Sequence, residues 1–109
     1  MDLDRYFLEM ALGEAEKALE ENTYPVGAVI VDEHFNLVAK GRNRVHPSQD
    51  ITAHAEMDAI RNAGTVMFDA KIKHKKFTLY SSLEPCPMCT GGILFAKIQR
   101  VVWLLNDDH

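Results

Sequence analysis

The chain has 109 residues, 47% hydrophobic and 26% charged, which suits one globular core and leaves little room for a second domain. A formal net charge of −4 argues against bulk electrostatic binding to nucleic acid or to acidic membranes. No apolar run approaches the roughly 20 residues of a bilayer-spanning helix, so no membrane partner is expected. The acidic start Met1-Asp2-Leu3-Asp4 lacks the basic and apolar regions of a secretory signal, so a cytoplasmic protein is expected.

Taken in chain order, residues 4–21 carry a helical pattern. Leu8, Leu12, Ala15 and Leu19 recur at helical spacing with Phe7, Ala11 and Ala18 beside them, and Asp2 or Asp4 can cap the start. Glu14, Glu16, Glu20 and Glu21 are expected on the wet side. "PVGAVIV" (25–31) reads as a buried strand, "DEHFN" as a turn and "LVAKG" (37–41) as the partner strand of a hairpin. The polar stretch 42–52, with Pro47 inside it, reads as a loop.

"AHAEMDAIRNA" (53–63) predicts a helix with Thr52 as a possible N-cap and Gly64 as its stop. Met57 and Ile60 are expected on its inner face. "FTLYSS" (77–82) predicts a strand, Pro87 the first turn of a helix through "MCTGGILFAK", and "RVVWLL" (100–105) a last strand, with Trp103 in the core or at a subunit contact. A hairpin followed by alternating helices and strands predicts one α/β domain over 1–109. The expected architecture is a three-layer α/β/α sandwich around a mixed sheet that begins with the antiparallel hairpin.

Two cysteines, Cys86 and Cys89, form a C-x-x-C pair at the predicted start of a helix, where backbone N–H groups and the helix dipole favour thiolate. In a reducing compartment such a pair suits a metal or redox chemistry better than a structural disulfide. Catalytic zinc takes three protein ligands and structural zinc four, so a further ligand is needed. His34 falls in the hairpin turn, His46 in the loop, His74 in the lysine run 71–76 and His109 at the end. His54 alone sits at the start of a helix expected to pack beside the one carrying Cys86. Glu56 lies two residues on, in the same first turn, where it can face the same point. The run "KIKHKK" (71–76) is short and reads as a solvated loop rather than a nucleic-acid contact.

The spacing H-x-E … P-C-x-x-C, here "HAE" at 54–56 and "PCPMC" at 85–89, is an established signature of zinc-dependent deaminases. With "PVGAVIV" in the expected place, the chain resembles the cytidine and deoxycytidylate deaminase superfamily from about residue 4 to residue 105. "YPVGAVIV", "GRNR", "TAHAEMDAIR" and "TLYSSLEPCPMCTGGI" make it most similar to the nucleobase and tRNA-adenosine deaminase branch. The resemblance implies a cytidine-deaminase-like fold and one zinc ion per chain, held by His54, Cys86 and Cys89. It implies Glu56 as the catalytic proton shuttle, and Asn43 and the backbone N–H of Ala55 as substrate contacts. The implied reaction is hydrolytic deamination of a nucleobase, free, in a nucleoside or in tRNA, with release of ammonia. A homodimer or higher homo-oligomer is implied as well.

Similar proteins usually continue past the strand at 100–105, so a chain without the usual C-terminal extension is expected. A catalytically incomplete zinc-binding scaffold or assembly module of the same fold is the competing reading. A thiol redox pair is a third, which the glutamate and prolines around the cysteines do not favour.

Overall fold

The computed structural model describes residues 2–73 and 75–107. It is built from α1 (Leu3–Glu20), β1 (Gly27–Asp32), β2 (Leu37–Arg42), α2 (Val45–Ser48), α3 (Ala55–Ala63), α4 (Thr65–Lys73), β3 (Phe77–Leu83), α5 (Pro87–Phe95) and β4 (Arg100–Leu105). The sheet order is β2-β1-β3-β4. β1 runs antiparallel to both β2 and β3, and β3 and β4 are parallel. Strands β2, β3 and β4 therefore point the same way, and the segments that follow them meet at one edge of the sheet. In open α/β sheets that edge is where ligands bind.

The alternation of β1 sorts the core into two layers. Ala28 and Ile30 join Ala39, Leu79, Ala55, Ala59 and Ile93 on the face covered by α3 and α5. Val29 and Val31 join Tyr80 and Phe7 on the face covered by α1. The mixed sheet between two helical layers is the predicted three-layer architecture.

Helix α1 presents a different face to the sheet from the one its leucines suggest. Phe7, Ala11, Glu14, Ala15 and Ala18 are buried, while Leu12 and Leu19 are exposed. The cause lies in β1. A Cβ on Gly27 would stand 2.1 Å from Ala11 O and 2.6 Å from Ala15 N, so the helix backbone rests on the strand with only small side chains between. Glu14 is thereby drawn inside rather than left wet, and it keeps a partner in Lys17 Nζ at 2.8 Å. Asp2, not Asp4, caps the helix by accepting from the Arg5 amide. Asp4 instead accepts from the Tyr80 hydroxyl at 2.6 Å and from Arg100 Nη2 at 2.6 Å, strapping the helix start to β3 and β4.

Three further differences concern local chemistry. The loop after β2 contains the short helix α2, with Pro47 inside its first turn, where a missing N–H costs nothing. The N-cap of α3 is His54, because Thr52 spends its hydroxyl on Asp50. Residues 65–73 form α4, so the run 71–76 begins inside a helix rather than a loop, and its His74 lies outside the described residues. Trp103 is 40% exposed on β4 and is not core.

At Gly41 in β2, a Cβ would lie 2.3 Å from Ala59 N and 2.5 Å from Ala55 O, both backbone atoms of α3. Gly41→Ala must therefore push the whole helix away, unlike an overlap with a flexible side chain. The expected cost is about 1–3 kcal/mol, read as a fall in Tm of about 4–8 °C per kcal/mol. The Asp4 strap makes a separate pH prediction. The guanidinium of Arg100 and the Tyr80 hydroxyl hold Asp4 down to about 2. Its contribution is present above the ordinary aspartate range near 4 and is lost as pH falls toward 2. Asp4→Asn is expected to cost under about 1 kcal/mol at pH 7, as for other half-exposed pairs. The difference from wild type should shrink as pH falls through 2 in urea titrations.

Candidate metal centre and binding pocket

Two helix starts meet at the edge where β2, β3 and β4 end. His54 is the N-cap of α3 and Cys86 the N-cap of α5, with Pro87 at the first helical position. Cys89 follows in the first turn of α5. Neither N-cap side chain bonds to its own helix, so both are free to face outward from the helix ends. The contact between the helices is made at Gly92, where a Cβ would stand 2.6 Å from Met57 Sδ. Met57 thus packs on the inner side of α3 as the sequence predicts.

His54 Nδ1 lies 3.6 Å from Cys86 Sγ and 3.5 Å from Cys89 Sγ. All three ligand atoms fall within 4.8 Å of one another. Zn–S bonds of about 2.3 Å and Zn–N bonds of about 2.0–2.1 Å at a tetrahedral angle separate nitrogen from sulfur by about 3.6 Å, so both nitrogen–sulfur separations match edges of a zinc tetrahedron. His34 and His46 are exposed and away from this cluster, and His109 lies outside the described residues.

Glu56 is buried, 4% exposed, beside the cluster. Its Oε1 has no hydrogen-bond partner among the described residues. Burial pushes the Glu56 carboxyl above its ordinary value, against a smaller opposing pull from its backbone and Cys89. Burial also pushes the Cys89 thiol up, and the neighbouring Glu56 and Cys86 add to the effect. Two thiols and a carboxylate crowded into an apolar site lack a counter-charge, and a bound cation is the group that supplies one. The donor set therefore fits zinc.

A cavity of about 410 Å³ opens in front of the cluster, within the range of small-molecule sites. His54, Ala55, Glu56 and Cys86 form its floor side, and Asn43, Val26 and Leu83 part of its wall. Asn43 is buried at the end of β2, held by its own amide on Val26 O at 3.0 Å. Ala55 is fully buried at the first position of α3, where the backbone N–H has no acceptor within the helix. Every residue singled out in the sequence for metal, proton transfer or substrate thus lines or borders one cavity. Tyr24, Ile51 and Glu84 also line it, and none of them carries a site role in the sequence pattern. Glu84 had a signal available, since it directly follows a strand and precedes the C-x-x-C prolines. Tyr24 and Ile51 had none, being single apolar residues in connections.

The family model described as "Cytidine and deoxycytidylate deaminase zinc-binding region" matches residues 1–105. The chain belongs to that family. Among curated relatives of this deaminase family, it is 43% identical over 101 residues to a chloroplastic tRNA(adenine(34)) deaminase of Arabidopsis thaliana, covering 93% of this chain and 8% of that protein. It is 39% identical over 106 residues to a tRNA-specific adenosine deaminase of Haemophilus influenzae, covering 97% of this chain and 60% of that protein. The solved guanine deaminase of Bacillus subtilis superposes with a TM-score of 0.77 at 36% identity, covering 94% of this chain and 64% of that one. The chain thus spans less than two thirds of the length of each of these relatives. Zinc is the metal of the family, and the cytidine-deaminase fold is the one observed.

Metal analysis tests the centre directly. One equivalent of zinc is expected per chain by atomic emission. Cys86→Ser, Cys89→Ser and His54→Ala should each weaken zinc more than about a hundredfold in a chelator competition, since each removes one of only three protein donors.

Proposed function

We propose that this chain is a zinc-dependent hydrolytic deaminase acting on a nucleobase, either free, in a nucleoside or as an adenosine in tRNA. The observation that carries the reading is the buried Glu56 carboxylate with one oxygen unpartnered, set against three ligand atoms that fit zinc and facing a cavity of small-molecule size. His54, Cys86 and Cys89 would hold the metal. Three protein donors leave one tetrahedral position open, the pattern of catalytic zinc rather than structural zinc. Bound there, zinc supplies Lewis-acid activation of water at neutral pH.

The reaction exchanges a C–NH2 bond of the base for C=O, consuming water and releasing ammonia. Glu56 would take a proton from the attacking water, pass it to the ring nitrogen beside the reacting carbon, and assist the departing amino group. Its unpartnered oxygen leaves it free for that traffic. Asn43 and the Ala55 N–H would hold the base while this happens. Val26 and Leu83, half-buried in the cavity wall, would limit the access of bulk water to the reacting atoms.

The tRNA-specific relatives support adenosine in tRNA, and the guanine deaminase supports a free purine. No helix among the described residues is long and apolar enough to cross a membrane. Two free thiols suit a reducing, cytoplasmic setting. Self-association into a homodimer or higher homo-oligomer is supported by Leu94 and Phe95 of α5, which are 66% and 80% exposed, and by sedimentation velocity it can be measured.

The test is ammonia release from adenine, guanine, cytosine, their nucleosides and a tRNA, at verified zinc occupancy. At least one substrate is expected to turn over. Glu56→Gln should lower kcat by about 10²–10⁴ while leaving bound zinc unchanged. Full activity in that variant would refute the proton-transfer role. Zinc-loaded protein silent on every substrate would mark the scaffold reading instead.

A further inference from the structure

Asn43 can face a substrate with either end of its carboxamide, and the two ends demand opposite chemistry. The surrounding donors decide which end is used. Val45 N–H, which can only donate, lies 3.0 Å from Asn43 Oδ1. Thr23 Oγ1 lies 2.6 Å from the same oxygen. The Thr23 hydroxyl in turn accepts from His46 N–H at 3.2 Å, so its single hydrogen is left to point at Asn43. The chain of donors therefore runs from His46 N–H to Thr23 Oγ1 to Asn43 Oδ1, with Val45 N–H arriving from the other side. Both lone pairs of Oδ1 are engaged.

Nδ2 and its two hydrogens remain, and none of the described hydrogen bonds uses them. Asn43 lines the cavity beside His54, Ala55 and Glu56. Thr23 itself does not line it. The threonine is buried, 5% exposed, just beyond the end of α1, where its amide donates to Ala18 O at 3.1 Å.

We propose that Thr23 is a positioning residue that locks the Asn43 carboxamide with its oxygen inward, so that the pocket offers the substrate an N–H donor at this point and not an acceptor. The inference rests on the reading of the cavity as a nucleobase site and sharpens it. An accepted base must place a carbonyl oxygen or an unprotonated ring nitrogen against Asn43. A base that presents an N–H there meets donor against donor and is rejected.

The test compares zinc-loaded wild type with Thr23→Ser, which keeps the hydroxyl, and Thr23→Val, which keeps the shape and loses it. Thermal melts and zinc content serve as folding controls. The first readout needs no turnover: the ¹⁵N–¹H resonances of the Asn43 side-chain amide. Wild type and Thr23→Ser are expected to share one sharp pair, and Thr23→Val to shift and broaden it. An unchanged pair in a folded Thr23→Val would overturn the proposal whether or not the protein is active.

The second readout uses whichever base wild type deaminates. Thr23→Val should raise KM about three- to tenfold, the loss of one neutral hydrogen bond, with kcat within about twofold and Thr23→Ser close to wild type. On the deaza analogue that lacks the acceptor, Thr23→Val should cause no further loss. An equal loss on base and analogue would overturn the role. Silence of wild type on every base would count against the deaminase reading alone, and the resonance test would still decide Thr23.

Discussion

Between Gly41 of β2 and the Ala55–Ala59 turn of α3 there is no room for a side chain, and this close approach governs where everything else at the site can stand. A helix seated directly on strand backbone has one height above the sheet and little freedom to slide. Its first turn is thereby fixed at the sheet edge, and His54 and Glu56 belong to that turn. On the opposite face Gly27 does the same for α1. The small residues Ala11, Ala15, Ala55 and Ala59 make both approaches possible, so the alanine content of these helices is a packing device. Interiors at close-packed density transmit such constraints rather than absorb them.

The second fixed point is the start of α5. Its position follows from the β3–α5–β4 crossover, which sets α5 on the same face as α3. Gly92 lets the two helices meet, with Met57 Sδ filling the gap. Two helix N-termini then point at one place, and each brings unpaired amides and the positive end of a dipole. That is a favourable setting for thiolate and carboxylate ligands, and it offsets part of the cost of burying Glu56 and Cys89. The remaining cost is a reason for the centre to bind its cation tightly, since folding and metal binding share ligands that would otherwise sit buried without a counter-charge.

Much of this could be read from the sequence, because the decisive features are local. β4 was predicted with its observed bounds, since a short run of β-formers closed by a polar end leaves few choices. Pro87 after Cys86 announced the start of α5 through the geometry of a residue without an N–H. The metal cluster was legible because C-x-x-C and H-x-E each carry their own spacing. The buried face of α1 was not legible. It depends on Gly27, a residue in another element, which replaces the leucine stripe by an alanine one and pulls Glu14 inside. Helix α4 has weak amphipathicity and lacked a clear periodic signal. Thr23 was invisible for the same kind of reason: its meaning comes from Asn43, twenty residues away, and from the backbone of α2.

The segment carrying Asn43 is tied to the helix carrying Glu56 through a single carboxylate. Asp58 Oδ2 accepts from the Arg42 amide at 3.0 Å and from Arg44 Nε at 3.0 Å, the residues on either side of Asn43. Asp58 stands two positions after Glu56 on α3. Arg42 reaches the other way, to Glu21 at 2.7 Å, just beyond the end of α1. Asn43 and Glu56, the groups proposed to orient a base and to move its proton, are therefore mounted on one frame, braced by both helical layers. Proton transfer depends on the base being held at hydrogen-bond distance from the carboxylate, and an error of about 1 Å costs on the order of a hundredfold in rate. By fastening the loop at Arg42 and Arg44 to the same short helix, the fold couples the position of Asn43 to that of Glu56.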